Sequence, residues 1–326
     1  MTAWKQRMAH YRLESDVTRG ELQLLECARL ILPEIERAAI RVRDGLQPKS
    51  AFQSGRAWVR DYINRKSQLS FVVSPAEYRA ARLKLLEKEK EATRQKDALA
   101  AERRKLPMVE LSKPYSFETI PEDGGELTKS LTLSDLFDGR RQLIVYHFMF
   151  DPAWDEGCMG CTVMGDSFPT ALEHIHSRST TVVAVSRAPI EKIAAYKKRM
   201  GWSFPWVSSY HSNFNYDMHV TQDDTVQPIE YSFRNKQELE HISKGFHAVG
   251  EQPGTSVFYR GDGMLGEEGK IYHTYSTYVR GGEHLINTFG WLDLTLLGRQ
   301  DGESGVGGIG FHRREEYTAD ELRGLH

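Results

Sequence analysis

Cys158 and Cys161, in the run GCMGC, stand three positions apart directly after RQLIVYHFMF, the most apolar stretch of the chain. Cys27 is the only other cysteine among 326 residues. Two thiols at this spacing admit three readings: reversible oxidation to a disulfide, half of a zinc site, or an inert pair. Oxidation needs an accessible thiolate at one position and a second thiol that resolves the mixed disulfide. A structural zinc needs four ligands, and no second cysteine pair exists. His147 falls inside the apolar run, while His174 and His176 are two apart and cannot share one helix face. Redox chemistry is therefore the favoured reading. It requires no metal and no bound organic cofactor, because the disulfide itself carries the electrons.

The elements that must position this pair follow from periodicity. RQLIVYHFMF (141–150) and TTVVAVS (180–186) are short, nearly continuous apolar runs, as buried parallel strands require. A helical segment is expected from the cysteines to about His176, and a second helix in APIEKIAAYKKRM (188–200). TSVFYR (255–260) and KIYHTYSTY (270–278), joined by a glycine-rich turn, read as an antiparallel hairpin. GGEHLINTFGWLDLTLLG (281–298) supplies a closing helix. Strand, helix, strand, helix, hairpin, helix is the order of a thioredoxin-like α/β domain, a central mixed sheet flanked by helices. We place it at 107–300, followed by a C-terminal tail, 301–326.

Before that domain the chain reads as helical. Leu24, Ala28, Ile31, Ile35, Ala38 and Val42 form one stripe, interrupted by Pro33, within an N-terminal extension of residues 1–73. Cys27 belongs to this helix and reads most simply as a small buried residue. Ser74, Pro75 and Glu77 spell a capping box that opens a charged helix over 74–106. Tyr78, Leu85, Ala92, Leu99 and Leu106 recur every seven residues along it. Lys88, Gln95 and Glu102 occupy positions where a strong coiled coil wants apolar residues. A solvated helix resting one edge on the domain is favoured over a homodimer seam.

In a parallel sheet the loop after the first strand lies at the strand's carboxyl end, where open α/β sheets bind ligands. Cys158 would stand at the following helix's N-terminus, where unpaired N–H groups and the helix dipole favour a thiolate. Cys161 would lie one turn inside. Cys158 is thus the candidate nucleophile and Cys161 the resolving thiol. Asp155 and Glu156 precede the pair, and their like charge is expected to raise the thiolate's pKa. Arg187, after the second strand, is a candidate to oppose them. Trp154 and the aromatics of 201–217 offer an apolar surface, although core packing is the commoner task for such side chains.

Composition bounds the setting. Apolar residues at 40% and charged residues at 27% are ordinary for a soluble globular protein. A net charge of −2 gives no reason to expect nucleic acid or an anionic membrane as partner. The N-terminus lacks a signal-peptide profile, and no apolar run approaches the ~20 residues that span a bilayer. Three cysteines make no disulfide framework, so a reducing cytoplasm is the expected compartment.

Several phrases carry a family likeness. YHFMFDPAWDEGCMGC, VAVSRAPIEKIAAYKKRMGWSFPWVSSYHSNFNYD, SVFYR and the lead-in LLEKEKEATRQKDALAAERRKLPMVE resemble domain-of-unknown-function family 899 over about residues 74–300. The resemblance implies a thioredoxin-like fold and dithiol–disulfide oxidoreductase activity, with Cys158 and Cys161 as the C-x-x-C and Ser186 to Pro189 as the SRAP motif. Its partners would be a disulfide-containing substrate or a thiol electron donor. Thioredoxins carry a cis-proline before the strand facing the cysteines; here that place reads EQPGTSVFY, with Gly254 or Thr255 nearest and Pro253 slightly early. The segment 219–254, inserted before that strand, is positioned to cover the site.

Two other functions compete. Peroxiredoxins are resembled by LTLSDLFDGRRQLIVYHFMF and WSFPWVSS, but they place threonine or serine three residues before the reactive cysteine. Asp155 stands there before Cys158, and Cys158 before Cys161. The third reading is a binding module with incidental thiols.

Overall fold

The computed structural model describes residues 72–119, 129–299 and 311–322. The N-terminal helical stripe, Cys27 and the glycine-rich start of the C-terminal tail lie outside the described residues. The charged helix runs Pro75–Arg103. Its start is the reciprocal capping box: the Glu77 N–H donates to Ser74 Oγ at 3.3 Å, and the Ser74 N–H donates to Glu77 Oε2 at 2.9 Å. None of its residues is buried, and Tyr78, Leu85 and Leu99 are each about half exposed or more. The side chains of the seven-residue seam are therefore exposed.

Strands β1 (Val109–Glu110), β2 (Ser116–Thr119), β3 (Lys129–Thr132), β4 (Gln142–His147), β5 (Thr180–Ser186) and β6 (Trp206–Ser208) enter one sheet. The inserted segment contributes the short pairs β7 (Thr221–Gln222) with β10 (Gly250–Glu251), and β8 (Glu230–Tyr231) with β9 (Arg234–Asn235). The hairpin β11 (Gly254–Arg260) and β12 (Ile271–Tyr278) completes the main sheet, whose order is β1-β12-β11-β4-β5-β6-β2-β3. β4 and β5 are parallel, from Gln142 opposite Thr180 to His147 opposite Val185. β11 runs antiparallel to both β4 and β12. The central order β12-β11-β4-β5, with β11 alone reversed, is the thioredoxin-like arrangement, and the fold is a thioredoxin-like α/β fold.

Alternation along the strands divides the core. Leu143, Val145, Val183, Val185 and Phe258 face one cluster. Tyr146, Val182, Ala184 and the residues after β4, Phe148 and Phe150, face the other, which also holds Cys161. Both faces are covered, which explains why β4 and β5 read as apolar runs without clear alternation of polarity. The insertion sends Val220, Ile229, Tyr231, Leu239 and Ala248 into the first cluster. Through Tyr231, whose hydroxyl interacts electrostatically with Cys161, the insertion also comes near the inner thiol.

Two expected helices are broken. After the cysteines a helix runs only Met159–Asp166, and a separate turn of helix follows at Glu173–His176. Pro169 disfavours helical backbone at the residue before it, and Ser167 Oγ bonds back to the Val163 carbonyl at 3.1 Å. The closing segment is a 3-10 stretch, Val279–Leu285, then a helix, Asn287–Leu292. The adjacent Gly281 and Gly282 explain why an α-helix does not start earlier.

Phe148 is the aromatic on which the second cluster turns, with ring centroids 4.5 Å from Trp206 and 6.0 Å from Trp202. Phe148→Ala is expected to cost about 3–5 kcal/mol in a urea melt, as truncations of fully buried aromatics do. A cost below about 1 kcal/mol would show that this cluster does not hold the sheet.

Candidate functional site

The site begins where β4 ends. The Phe148 N–H donates to the Val185 carbonyl at 2.9 Å, extending the parallel pairing one residue beyond the strand. Met149 then pairs with both cysteines: its carbonyl accepts the Cys158 N–H at 3.0 Å, and its N–H donates to Cys161 Sγ at 3.4 Å. These two contacts close the loop 150–157. Within it, the Asp151 carbonyl accepts from the Trp154 N–H at 3.0 Å, and Lys192 Nζ donates to the carbonyls of Pro152 and Trp154 at 2.9 and 2.8 Å. Cys158 is the N-cap of Met159–Asp166, with extended ψ of 136°, and its carbonyl accepts the first helical bond from Thr162 at 2.9 Å.

Gly157 is required by close approach. A Cβ there would lie 2.6 Å from Phe148 and 3.3 Å from Tyr196, both buried aromatics. Gly165 meets the same limit on the far side of the helix, where a Cβ would come 2.7 Å from Trp202. The two glycines let the helix carrying the thiols settle onto its aromatic bed.

Both cysteines are free thiols, but their surroundings differ. Cys158 is half-buried, and its pKa is lowered to about 6. The largest cause is the hydrogen bond from the Cys161 thiol; burial opposes it, and the N–H groups of Cys161 and Gly160 and the charge of Arg313 add to the lowering. Both N–H groups belong to the first turn of the helix that Cys158 caps, so the helix N-terminus contributes to stabilising the thiolate. Cys161 is 2% exposed, and its pKa is pushed well up, first by burial and then by the hydrogen bond and charge of Cys158. The Tyr146 hydroxyl opposes that rise through its own interaction with the Cys161 sulfur. One thiol is thus charged near neutral pH while its neighbour keeps its proton.

The accessory residues divide. Trp154 is exposed beside the pair. Asp155 is exposed, and Glu156 is paired with Arg199 and, at 2.8 Å, with Arg313. The expected net rise in the Cys158 pKa does not occur: the hydrogen bond from Cys161 leads a net lowering. Arg187 does not oppose the carboxylates. It pairs at 2.9 Å with buried Glu251 and lies over the Tyr216 ring. Glu251, raised to about 7 by burial, is what that arginine serves. Ser186 is fully buried: its Oγ donates to the Phe148 carbonyl at 2.7 Å and accepts from Trp206 Nε1 at 2.9 Å. It braces the strand end rather than meeting a ligand. Thr255 is buried in β11 directly opposite Tyr146, on the same sheet face as the thiols. The Pro253 peptide is trans, and its carbonyl accepts from the Tyr231 hydroxyl at 2.6 Å.

Sequence reasoning missed Tyr146, Thr162, Tyr196 and Arg313. Arg313 donates from Nη2 to the Gly157 carbonyl at 3.1 Å and from Nε to the Tyr196 hydroxyl at 2.8 Å. The available signal was FHRREEY (311–317), a dense charge and aromatic cluster resuming after a glycine-rich run. Among the described residues, no group of three or more His, Cys, Asp or Glu is arranged to hold a metal ion. None of the described helices is long and apolar enough to cross a membrane.

A thioredoxin-like sheet with a C-x-x-C at the helix following its first central strand defines the class: a thioredoxin-fold protein with a vicinal thiol pair. The chain belongs to the family described as bacterial protein of unknown function (DUF899), whose model matches residues 67–317. That match runs past residue 300 and takes in Arg313. No curated protein matches the chain. Solved structures similar to it include a cysteine-to-serine mutant of PrxQ from Xylella fastidiosa, at 16% identity, covering 57% of this chain and 94% of that one, with a TM-score of 0.33. Peroxiredoxin Q from Xanthomonas campestris aligns at 16% identity over 59% of this chain and 96% of that one, TM-score 0.34. Peroxidoxin BcpB from Mycobacterium tuberculosis aligns at 12% identity over 55% and 96%, TM-score 0.33. Likenesses of this size say nothing about chemistry, and the fold rests on the strand order.

Alkylation of Cys158 by iodoacetamide, read by peptide mapping, is expected to be slow below pH about 6 and to rise through it as thiol becomes thiolate, whereas an unperturbed thiol would turn on near pH ~8.5. Gly157→Ala is expected to destabilise the fold by about 1–3 kcal/mol in a denaturant melt, since the methyl must displace buried rings. A variant as stable as the parent would show that the loop can move off them.

Proposed function

We propose that this protein is a dithiol–disulfide oxidoreductase working through Cys158 and Cys161. The observation that carries the reading is the asymmetry of the pair: a half-buried thiol lowered to about 6 beside a fully buried one held protonated. The Cys158 thiolate attacks one sulfur of a substrate disulfide, the S–S bond breaks, and the departing thiolate takes a proton. Cys161 then loses its proton, attacks Cys158 Sγ, and releases the second substrate thiol. Two electrons pass from the protein dithiol to the substrate, leaving a Cys158–Cys161 disulfide. A thiol donor resets the pair, and the same steps in reverse oxidise a substrate dithiol. The Tyr146 hydroxyl, in contact with Cys161, supplies a donor to the thiolate forming there.

This scheme needs neither metal nor organic cofactor. Its partners are a disulfide-containing substrate and a thiol donor, and a reducing cytoplasm is the compartment in which such a pair would cycle.

Thiol trapping across glutathione and dithiothreitol buffers tests the reading. A nucleophile near 6, below the ~7 of thioredoxin, stabilises the dithiol and favours a potential less negative than about −270 mV but not above about −120 mV. Cys161→Ser is expected to accumulate mixed disulfides on Cys158, and Cys158→Ser to abolish them. Failure to form the intramolecular disulfide at any poise would sink the proposal. Sulfenic acid on Cys158 from peroxide, outpacing disulfide exchange, would turn it towards a thiol peroxidase.

A further inference from the structure

The segment after the glycine-rich run returns to the thiol loop at two points. Phe311 packs against the second core cluster, with its ring 5.7 Å from that of Phe289. Arg313, only 11% exposed, follows. Its Nη2 holds the Gly157 carbonyl at 3.1 Å and Glu156 at 2.8 Å, while Nη1 pairs with Glu316 at 2.9 Å. Nε donates to the Tyr196 hydroxyl at 2.8 Å. Thr162 spends its hydroxyl hydrogen on the Cys158 carbonyl at 3.0 Å, so the 2.8 Å contact between Tyr196 and Thr162 is donated by the tyrosine. A directed chain results: Arg313 to Tyr196 to Thr162 to the Cys158 carbonyl. The carbonyls on either side of the Cys158 Cα, those of Gly157 and of Cys158 itself, are thus both acceptors at the ends of one guanidinium's network.

We propose that Arg313 is a positioning residue for the Cys158 thiol: it fixes the two carbonyls flanking Cys158 and places a positive charge beside its sulfur, making the C-terminal segment part of the thiol site. The inference rests on reading the pair as a working dithiol. Charged and titratable groups around Cys158 come from every neighbouring element. They are Cys161 from its own helix, Tyr146 from β4, Asp155 and Glu156 from the loop, Lys192, Tyr196 and Arg199 from the helix Ile190–Met200, Tyr231 from the insertion, and Arg313, Glu315 and Glu316 from the tail. Arg199 is occupied by the carboxylates of Glu156 and Glu315. Among the described cations, Arg313 is the one that joins the loop carbonyl, the tyrosine and the carboxylate. That task takes the planar five-donor fork of arginine rather than the point charge of lysine.

The test is the pH profile of Cys158 alkylation by iodoacetamide in the full chain, for the parent, Arg313→Gln, Arg313→Lys and Arg199→Gln. Arg313→Gln is expected to raise the midpoint by about 0.5–1 unit, or three- to tenfold less thiolate below it. Arg313→Lys should raise it by less, and Arg199→Gln by less than Arg313→Gln. Superimposable profiles for the parent and Arg313→Gln would overturn the proposal, as would an equal or larger shift in Arg199→Gln. If Arg313→Gln gives no cooperative melt, Arg313→Lys decides: an unchanged midpoint overturns it. Thiol trapping on the same samples separates the two ideas. A parent that never forms the disulfide removes the oxidoreductase reading, whereas an unmoved midpoint in a redox-competent protein removes only the role of Arg313.

Discussion

Met149 is the residue on which the geometry of the thiol pair depends. Its carbonyl holds the Cys158 N–H and its N–H points to the Cys161 sulfur, so one peptide segment leaving the sheet sets both cysteines at once. That segment is placed by the parallel register of β4 on β5, continued by Phe148 bonding to Val185. A slip of one residue would turn every side chain of β4 to the opposite face. Tyr146 would then leave the thiols, and His147, now bonded to Ser256 in the other face, would take its place.

The aromatic bed beneath the helix performs a second task. Phe148, Tyr196, Trp202 and Trp206 exclude water from the inner thiol, and burial is the largest cause holding Cys161 protonated. The same packing demands glycine at 157 and 165. Polar ties are made where this apolar bed meets the chain: Ser186 joins Trp206 to the Phe148 carbonyl, and Tyr196 joins Thr162 to the tail. The indole N–H of Trp202 likewise finds Asp166 at 2.8 Å. The polar tips of the bed thus all have partners, which the low local dielectric makes necessary. The bed is therefore both the core and the source of the difference between the two thiols.

Charge around the site is arranged in separate pairs rather than as a field. Arg187 is committed to Glu251, and Glu156 is shared by Arg199 and Arg313. Local pairing of this kind weakens the long-range effect of Glu156 on the cysteines. What remains close to Cys158 is the thiol hydrogen bond, the helix N-terminus and one guanidinium.

By itself the sequence determined the two central parallel strands, the hairpin, the capping box at Ser74 and the position of Cys158 at a helix start, but not the short strands at the sheet's edges or in the insertion. Each feature it determined depends on local periodicity or on spacing within a few residues. The break after Asp166 was less legible, since Pro169 lies three residues beyond the helix end and Ser167 acts only through its side-chain bond to Val163. Pairings across long separations were not legible at all. Arg187 was read against the cysteines because it ends the neighbouring strand, yet a carboxylate 64 residues away claims it. Arg313 reaches Gly157 across 156 residues. Only the tertiary structure decides such pairs, because ionic and hydrogen-bonding groups choose partners by distance and burial, and neither is written in the order of the chain.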